Sequence, residues 1–185
     1  MVAFPNEKAP KLVLPTVSGE IFDLSKQNPQ KYTIVIFYRG KHCPICADHM
    51  AEIEQSYTKA KEAGYDVVAV SMDTQDKAIA TVKKVASGLG RESLSYPVAY
   101  GLTIEQAREW GLYLSEAIPG SAEPDVFSEA GFSVIRPDTS IFMLQAQSAP
   151  FTRPNMEQLI GHLNFAYENK YPARGTVREG SVKGR

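Results

Sequence analysis

The sequence predicts an α/β fold in which a central mixed sheet is flanked by helices and preceded by a small N-terminal β-hairpin. Three observations lead there. Two apolar runs, Tyr32 to Tyr38 and Tyr65 to Ser71, have the length and β-branched content of strands buried on both faces. Between them Cys46, Met50, Ile53, Tyr57 and Ala60 fall three or four residues apart, which places them on one helical face. Later, Phe132 to Ile135 and Ile141 to Leu144 flank Pro137-Asp138-Thr139, the pattern of an antiparallel hairpin.

In chain order, Ala9 to Ser25 alternates short apolar pieces with Pro15 and Ser18-Gly19, which fits a hairpin beside the main sheet or a packed loop. Polar residues Gln27 to Lys31 lead into the first buried strand. The helix that follows is expected to end near Ala63, with Gly64 as its stop. Strand, helix and strand in this spacing form a right-handed unit with parallel strands. A second helix is expected from about Asp76 to Ser87, with Gly88 beyond it. Leu94 to Val98 then reads as a short extended piece limited by Pro97. Thr103 and Gln106 form a capping box for a further helix that Gly111 stops. Gly111 to Val126 carries Pro119, Gly120 and Pro124 without a clear period and reads as the longest loop. Asn155 caps the last helix, whose Met156, Leu159, Leu163 and Tyr167 share a face. The summed order is a thioredoxin layout with additions: one domain over residues 1–170 and a flexible, basic tail over 171–185.

Composition narrows the function. A 43% apolar, 22% charged chain of 185 residues can bury a proper core. With a net charge of −1, no long-range field recruits nucleic acid or an acidic membrane surface. No apolar run approaches the roughly 18 to 20 residues of a membrane span, and the N-terminus lacks a signal-like pattern. These features lead us to expect a cytoplasmic protein. No glycine-rich phosphate cradle or dinucleotide fingerprint is present, so no cofactor is expected.

The chemistry concentrates where the first strand turns into the helix. Arg39, Gly40, Lys41 and His42 make the turn, and the only two cysteines follow as Cys43-Pro44-Ile45-Cys46. Pro44 suits the first helical position, where the backbone N–H has no partner within the helix. Cys43 is then the N-cap, its sulfur facing unpaired amides and the positive end of the helix, after three basic residues; all of this favours a thiolate. Cys46 lies one turn deeper, so Cys43 can attack and Cys46 can release it by closing a small disulfide. Two cysteines this close cannot staple a long loop in a reducing compartment. Arg39 can stabilise a thiolate or a peroxide oxygen, or form a surface ion pair; His42 can tune the thiol or donate a proton, or sit solvated.

On these residues the chain resembles a known family. APKLVLPTVSGEIFDLS, FYRGKHCPIC, VVAVSMDT, LSYPVAY and FSVIRPDTSIFML look like the alkyl hydroperoxide reductase and thiol-specific antioxidant branch of the thioredoxin superfamily, over roughly Ala9 to Tyr167. The resemblance implies a peroxiredoxin-like oxidoreductase acting on a peroxide or a disulfide, reduced by a thioredoxin-like protein or a small thiol, and often a homodimer. The peroxidatic motif Pro-x-x-x-Thr/Ser-x-x-Cys is incomplete in either frame. From Cys46 it meets Cys43 and Arg39; from Cys43 it meets Gly40 and Ile36. The cis-proline of thioredoxins has no counterpart at Glu129, Ala130 or Gly131. In the peroxide cycle the roles of the cysteines can therefore invert.

Blander readings stand beside these. Cys43 and Cys46 could be packed thiols, and His42, Cys43, Cys46 and His49 could hold zinc in a non-catalytic interaction module, although adjacent His42 and Cys43 strain one tetrahedral centre. Ala47 after Cys46 excludes haem attachment. Asp73 could line the same edge, with helix capping the simpler role. Trp110, Tyr96 and Tyr100 read as core or interface, and His49 and His162 as helical packing or surface residues.

Overall fold

The computed structural model describes residues 2–178. Its main sheet has five strands, three parallel neighbours followed by an antiparallel pair. Strand β3 (Tyr32–Phe37) runs parallel to β4 (Tyr65–Val70), which runs parallel to the two-residue β5 (Val98–Ala99). On the other side of β3 lie antiparallel β8 (Gly131–Ile135) and β9 (Ile141–Ala146). The mixed sheet follows from the connections, since helical crossovers join β3, β4 and β5 whereas a tight turn joins β8 to β9.

Period-two alternation along β3 divides the core between the two faces of the sheet. Ile34, Ile36 and Tyr38 pack with Met50 and Ile53 of α1 (Pro44–Glu62), Val82 and Val85 of α2 (Gln75–Gly88), and Leu159 and Leu163 of α4 (Met156–Glu168). Val35 and Phe37 face the opposite way, toward Trp110, Ala107 of α3 (Ile104–Glu109), and Leu14 and Phe22 of the N-terminal hairpin β1–β2 (Val13–Pro15, Ile21–Asp23). That hairpin is its own two-stranded sheet, tied to β5 by Val17 N–H to Val98 O and Tyr100 N–H to Pro15 O. The expected capping box at Thr103 and Gln106 is present in both directions, and Asn155 caps α4 through the Gln158 amide.

Three expectations need correction. Gly111 to Val126 is not one loop: β6 (Leu114–Glu116) pairs antiparallel with β7 (Val126–Ser128), leaving only residues 117–125 as the turn. Strands of three residues are too short to display a period. The extended piece at Leu94 to Val98 becomes a strand only at Val98, and Pro97 contributes its carbonyl to Ala69. Helix α2 keeps Gly88, and the left-handed position after it is taken by Gly90 (φ +68°). The part of the basic tail that is described lies against the N-terminal segment, with Arg178 paired to Glu7 at 2.6 Å and stacked on Phe4; Lys183 and Arg185 lie outside the described residues. Among the described residues, no helix is long and apolar enough to cross a membrane.

Candidate active site

The turn after β3 delivers both cysteines to the edge where the parallel strands end, the usual place for a site in an open α/β sheet. Cys43 is the N-cap of α1 in an extended conformation (φ −100°, ψ 104°), and Pro44 occupies the first turn without wasting a donor. The Cys46 amide donates to the Cys43 sulfur at 3.3 Å. Both thiols are free and buried, at 2% and 1% residue exposure, so a reagent reaches them only through local opening or a narrow mouth. Ile45 between them is partly exposed.

The two sulfurs are electrostatically unlike. A hydrogen bond from the Cys46 thiol, then the Cys46 amide and the Arg39 guanidinium, pull the Cys43 thiol down to about 6 against the opposing effect of burial. The same bond to Cys43 and burial push the Cys46 thiol well up. Two donors work against that rise: the Arg39 amide at 3.4 Å and Nη2 of Arg153 at 3.2 Å from the Cys46 sulfur. The pair therefore shares one negative charge, held on Cys43 and hydrogen-bonded by Cys46.

Arg153 was not singled out from sequence. It sits in the segment before α4, where Nη1 is fixed by Gln147 Oε1 at 2.8 Å and the carbonyls of Pro150 and Thr152. It is the one lysine or arginine between Arg136 and Lys170, and that isolation was the available signal. Arg39, for which a surface ion pair was one alternative, is largely buried instead. Its Nη2 meets Glu123 at 2.9 Å, its Nε lies 3.1 Å from Glu129 without hydrogen-bond alignment, and its guanidinium covers the Phe127 ring. The β6–β7 hairpin thus clamps the cysteine turn.

His42 packs edge-on against Phe127 with ring centroids 4.6 Å apart, and its buried Nε2 finds no partner among the described residues. Burial and the neighbouring Arg39 lower its pKa, which keeps the ring neutral near pH 7. Asp73 does not cap α2, whose N-cap is Thr74; its buried carboxylate accepts the Lys41 amide at 2.8 Å, and burial raises its pKa. Trp110 and Tyr96 are core, as read, with the Tyr96 hydroxyl donating to Met50 O. The zinc constellation does not assemble: His49 Nε2 is engaged with Pro154 O at 3.1 Å, His42 is held on Phe127, and no three His, Cys, Asp or Glu side chains are grouped for a metal among the described residues.

Residues 5–142 match the AhpC/TSA family. The chain belongs to that family. One relative is Peroxiredoxin 2 of Picrophilus torridus, 25% identical over 112 residues, or 60% of this chain and 54% of that protein. The chain thus matches about half the length of this relative. Among solved structures, peroxiredoxin 6 of Arenicola marina, in a cysteine-to-serine mutant form, superposes with a TM-score of 0.77 at 15% identity, covering 96% of this chain and 84% of that one. Peroxidoxin BcpB of Mycobacterium tuberculosis gives 0.68 at 16% identity, over 89% and 97% of the two chains. The reduced 2-Cys peroxiredoxin of Plasmodium vivax gives 0.70 at 14% identity, over 91% and 100%. At such identities the structural likeness speaks for the fold, and the thioredoxin-like architecture expected of an AhpC/TSA chain is the one observed.

Proposed function

We propose that this chain is a thiol-dependent peroxidase in which Cys43 and Cys46 cycle between dithiol and disulfide. The observation that carries the reading is the hydrogen-bonded cysteine pair at the mouth of α1, with a low-pKa sulfur at Cys43 and guanidinium and amide donors on Cys46. In the first step the Cys43 thiolate attacks the outer peroxide oxygen. The O–O bond breaks, the sulfur becomes a sulfenic acid, and the leaving oxygen takes a proton to become water or an alcohol. The Cys46 thiol then attacks the Cys43 sulfenic acid, forming the disulfide and releasing water. A thioredoxin-like dithiol or two small thiols supply the two electrons that restore the pair. The reading includes a reducing, cytoplasmic setting and a homodimer, both taken from the thiol chemistry and the family resemblance rather than from geometry.

The opposite order has support of its own, because both Arg153 and the Arg39 amide contact Cys46. Protein disulfide exchange would use the same two sulfurs without a sulfenic acid. One experiment separates these readings: fully reduced protein is mixed with hydrogen peroxide, the rate is followed, and a sulfenic acid trap with mass analysis locates the first oxidised sulfur. A rate far above that of a free thiolate, with sulfenic acid on Cys43 and accumulating in Cys46→Ser, is expected. First oxidation at Cys46 inverts the order, and a rate no faster than a free thiol moves the activity to disulfide exchange.

A further inference from the structure

Beside the cysteine turn lies a cavity of about 280 Å³ lined by Lys41, His42, Asp73, Lys77, Ala122 and Pro124. None of its residues is one of the two cysteines, yet His42 is bonded to Cys43, so the two Cα atoms are about 3.8 Å apart. Its charge balance is uneven. Both lysines are exposed, and neither ammonium is in an ion pair among the described residues. Asp73 is buried at the floor and already accepts the Lys41 amide. Asp73 is the lining carboxylate on which both lysines act, so the two ammonium groups outnumber the one acid of the wall; Glu123, between two lining residues in sequence, gives its oxygens to Arg39 Nη2 and the Ile118 amide.

We propose that this cavity is an anion subsite that takes the carboxylate of a small substrate, either a hydroperoxide whose O–O bond the Cys43 thiolate breaks or a thiol whose thiolate attacks the Cys43 sulfur of the Cys43–Cys46 disulfide and releases the Cys46 thiolate. This rests on the thiol chemistry proposed above and adds a substrate class to it. Two unpaired ammonium groups around a small concavity favour a carboxylate, and Ala122 and Pro124 form an apolar wall that suits a short carbon chain rather than a bare oxyanion. The carboxylate belongs either to the reductant, a mercapto acid, or to the oxidant, a hydroperoxy acid.

The direct test does not require turnover. The reduced protein is alkylated with iodoacetate and, separately, with iodoacetamide, and tandem mass spectrometry places the label. Both reagents consume the same thiolate, so their rate ratio reports recruitment of the anion and cancels any change in thiol pKa. The ratio is expected to exceed that of a free small thiol and to fall roughly fivefold for each of Lys41→Gln and Lys77→Gln, the size expected of one fully solvated unit charge about 4 Å away. It is also expected to fall with added salt. A ratio equal to that of a free thiol, or one that both substitutions leave unchanged, overturns the subsite. If the enzyme shows no peroxidase turnover the function above fails, while this ratio still decides the subsite.

Turnover then assigns the source. In the reductant arm, a carboxylated thiol is compared with 2-mercaptoethanol; in the oxidant arm, a hydroperoxy acid is compared with tert-butyl hydroperoxide. A loss of anion preference in the lysine variants within one arm names that substrate as the occupant. Loss in neither arm overturns the assignment to substrate.

Discussion

Arg153 holds a guanidinium nitrogen 3.2 Å from the sulfur of Cys46 across 107 residues of sequence. The contact opposes what burial and the Cys43 thiolate do to Cys46, so its effect falls on the second sulfur of the pair. Arg153→Met is therefore expected to spare the first attack and to slow disulfide closure about 10- to 100-fold, the range set by losing a charged hydrogen bond of roughly 1.5–3 kcal/mol. Rapid mixing with peroxide followed by mass analysis checks this, since sulfenic and then sulfinic acid should build up on Cys43. A slowed first step with normal closure would instead make Cys46 the attacking sulfur.

The Cys43 thiol at about 6 sets a pH dependence. Thiolate absorbance near 240 nm in the reduced protein should titrate with a midpoint near 6, and alkylation should rise through that pH and then level. The linked stability has a definite sign. A depressed folded-state pKa means that the unfolded chain binds more protons between about 6 and the ordinary thiol value. The Cys43 contribution to stability is thus complete above that ordinary value and is lost as pH falls through about 6. Cys43→Ser lacks this titration, so the difference in stability between reduced and Cys43→Ser protein is expected to shrink toward pH 5.

Local rules made the core of this site readable. A proline one position after Cys43, with apolar residues every third or fourth place beyond, locates the helix mouth without any tertiary knowledge. Thr103 with Gln106 locates α3 in the same way. What escaped is long-range. Arg153 reaches Cys46 from the segment before α4, and Glu123 and Glu129 reach Arg39 from the β6–β7 hairpin; partners 84 or 107 residues apart leave no periodic trace. Apolar spacing reports which face is buried, and it is silent on which charge will meet which. The alternatives kept for Arg39 and Asp73 reflect that limit.

Gly40 illustrates a backbone requirement next to the thiols. At φ +133° a Cβ there would lie 2.7 Å from Asp73 Oδ1, whose carboxylate also receives the Lys41 amide. Gly40→Ala is expected to cost about 1–3 kcal/mol through both the strained dihedral and the contact. That corresponds to a fall in Tm of roughly 2–10 °C for a chain of this size. Thermal unfolding of Gly40→Ala, Asp73→Ala and the double variant tests the assignment. The double variant should lose less than the sum of the singles, because the second substitution removes the clash.

Arg39 ties the hairpin to the cysteine turn, and two of its roles can be separated. Its Nε is 3.1 Å from Glu129, a 3%-exposed carboxylate that also accepts the Ser115 hydroxyl at 2.7 Å. Its guanidinium also helps hold down the Cys43 pKa. Arg39→Met leaves the Glu129 charge buried beside a single hydroxyl, at a cost of about 3–5 kcal/mol. The same substitution should raise the Cys43 thiol above 6, slowing attack on peroxide at pH 6 more than at pH 8. Adding Glu129→Gln removes the stranded charge, so denaturant unfolding should recover most of the lost stability while the thiolate titration stays shifted. Recovery of both together would mean that Arg39 acts on Cys43 only by keeping the hairpin in place, and recovery of neither would mean that Glu123 rather than Glu129 carries the clamp.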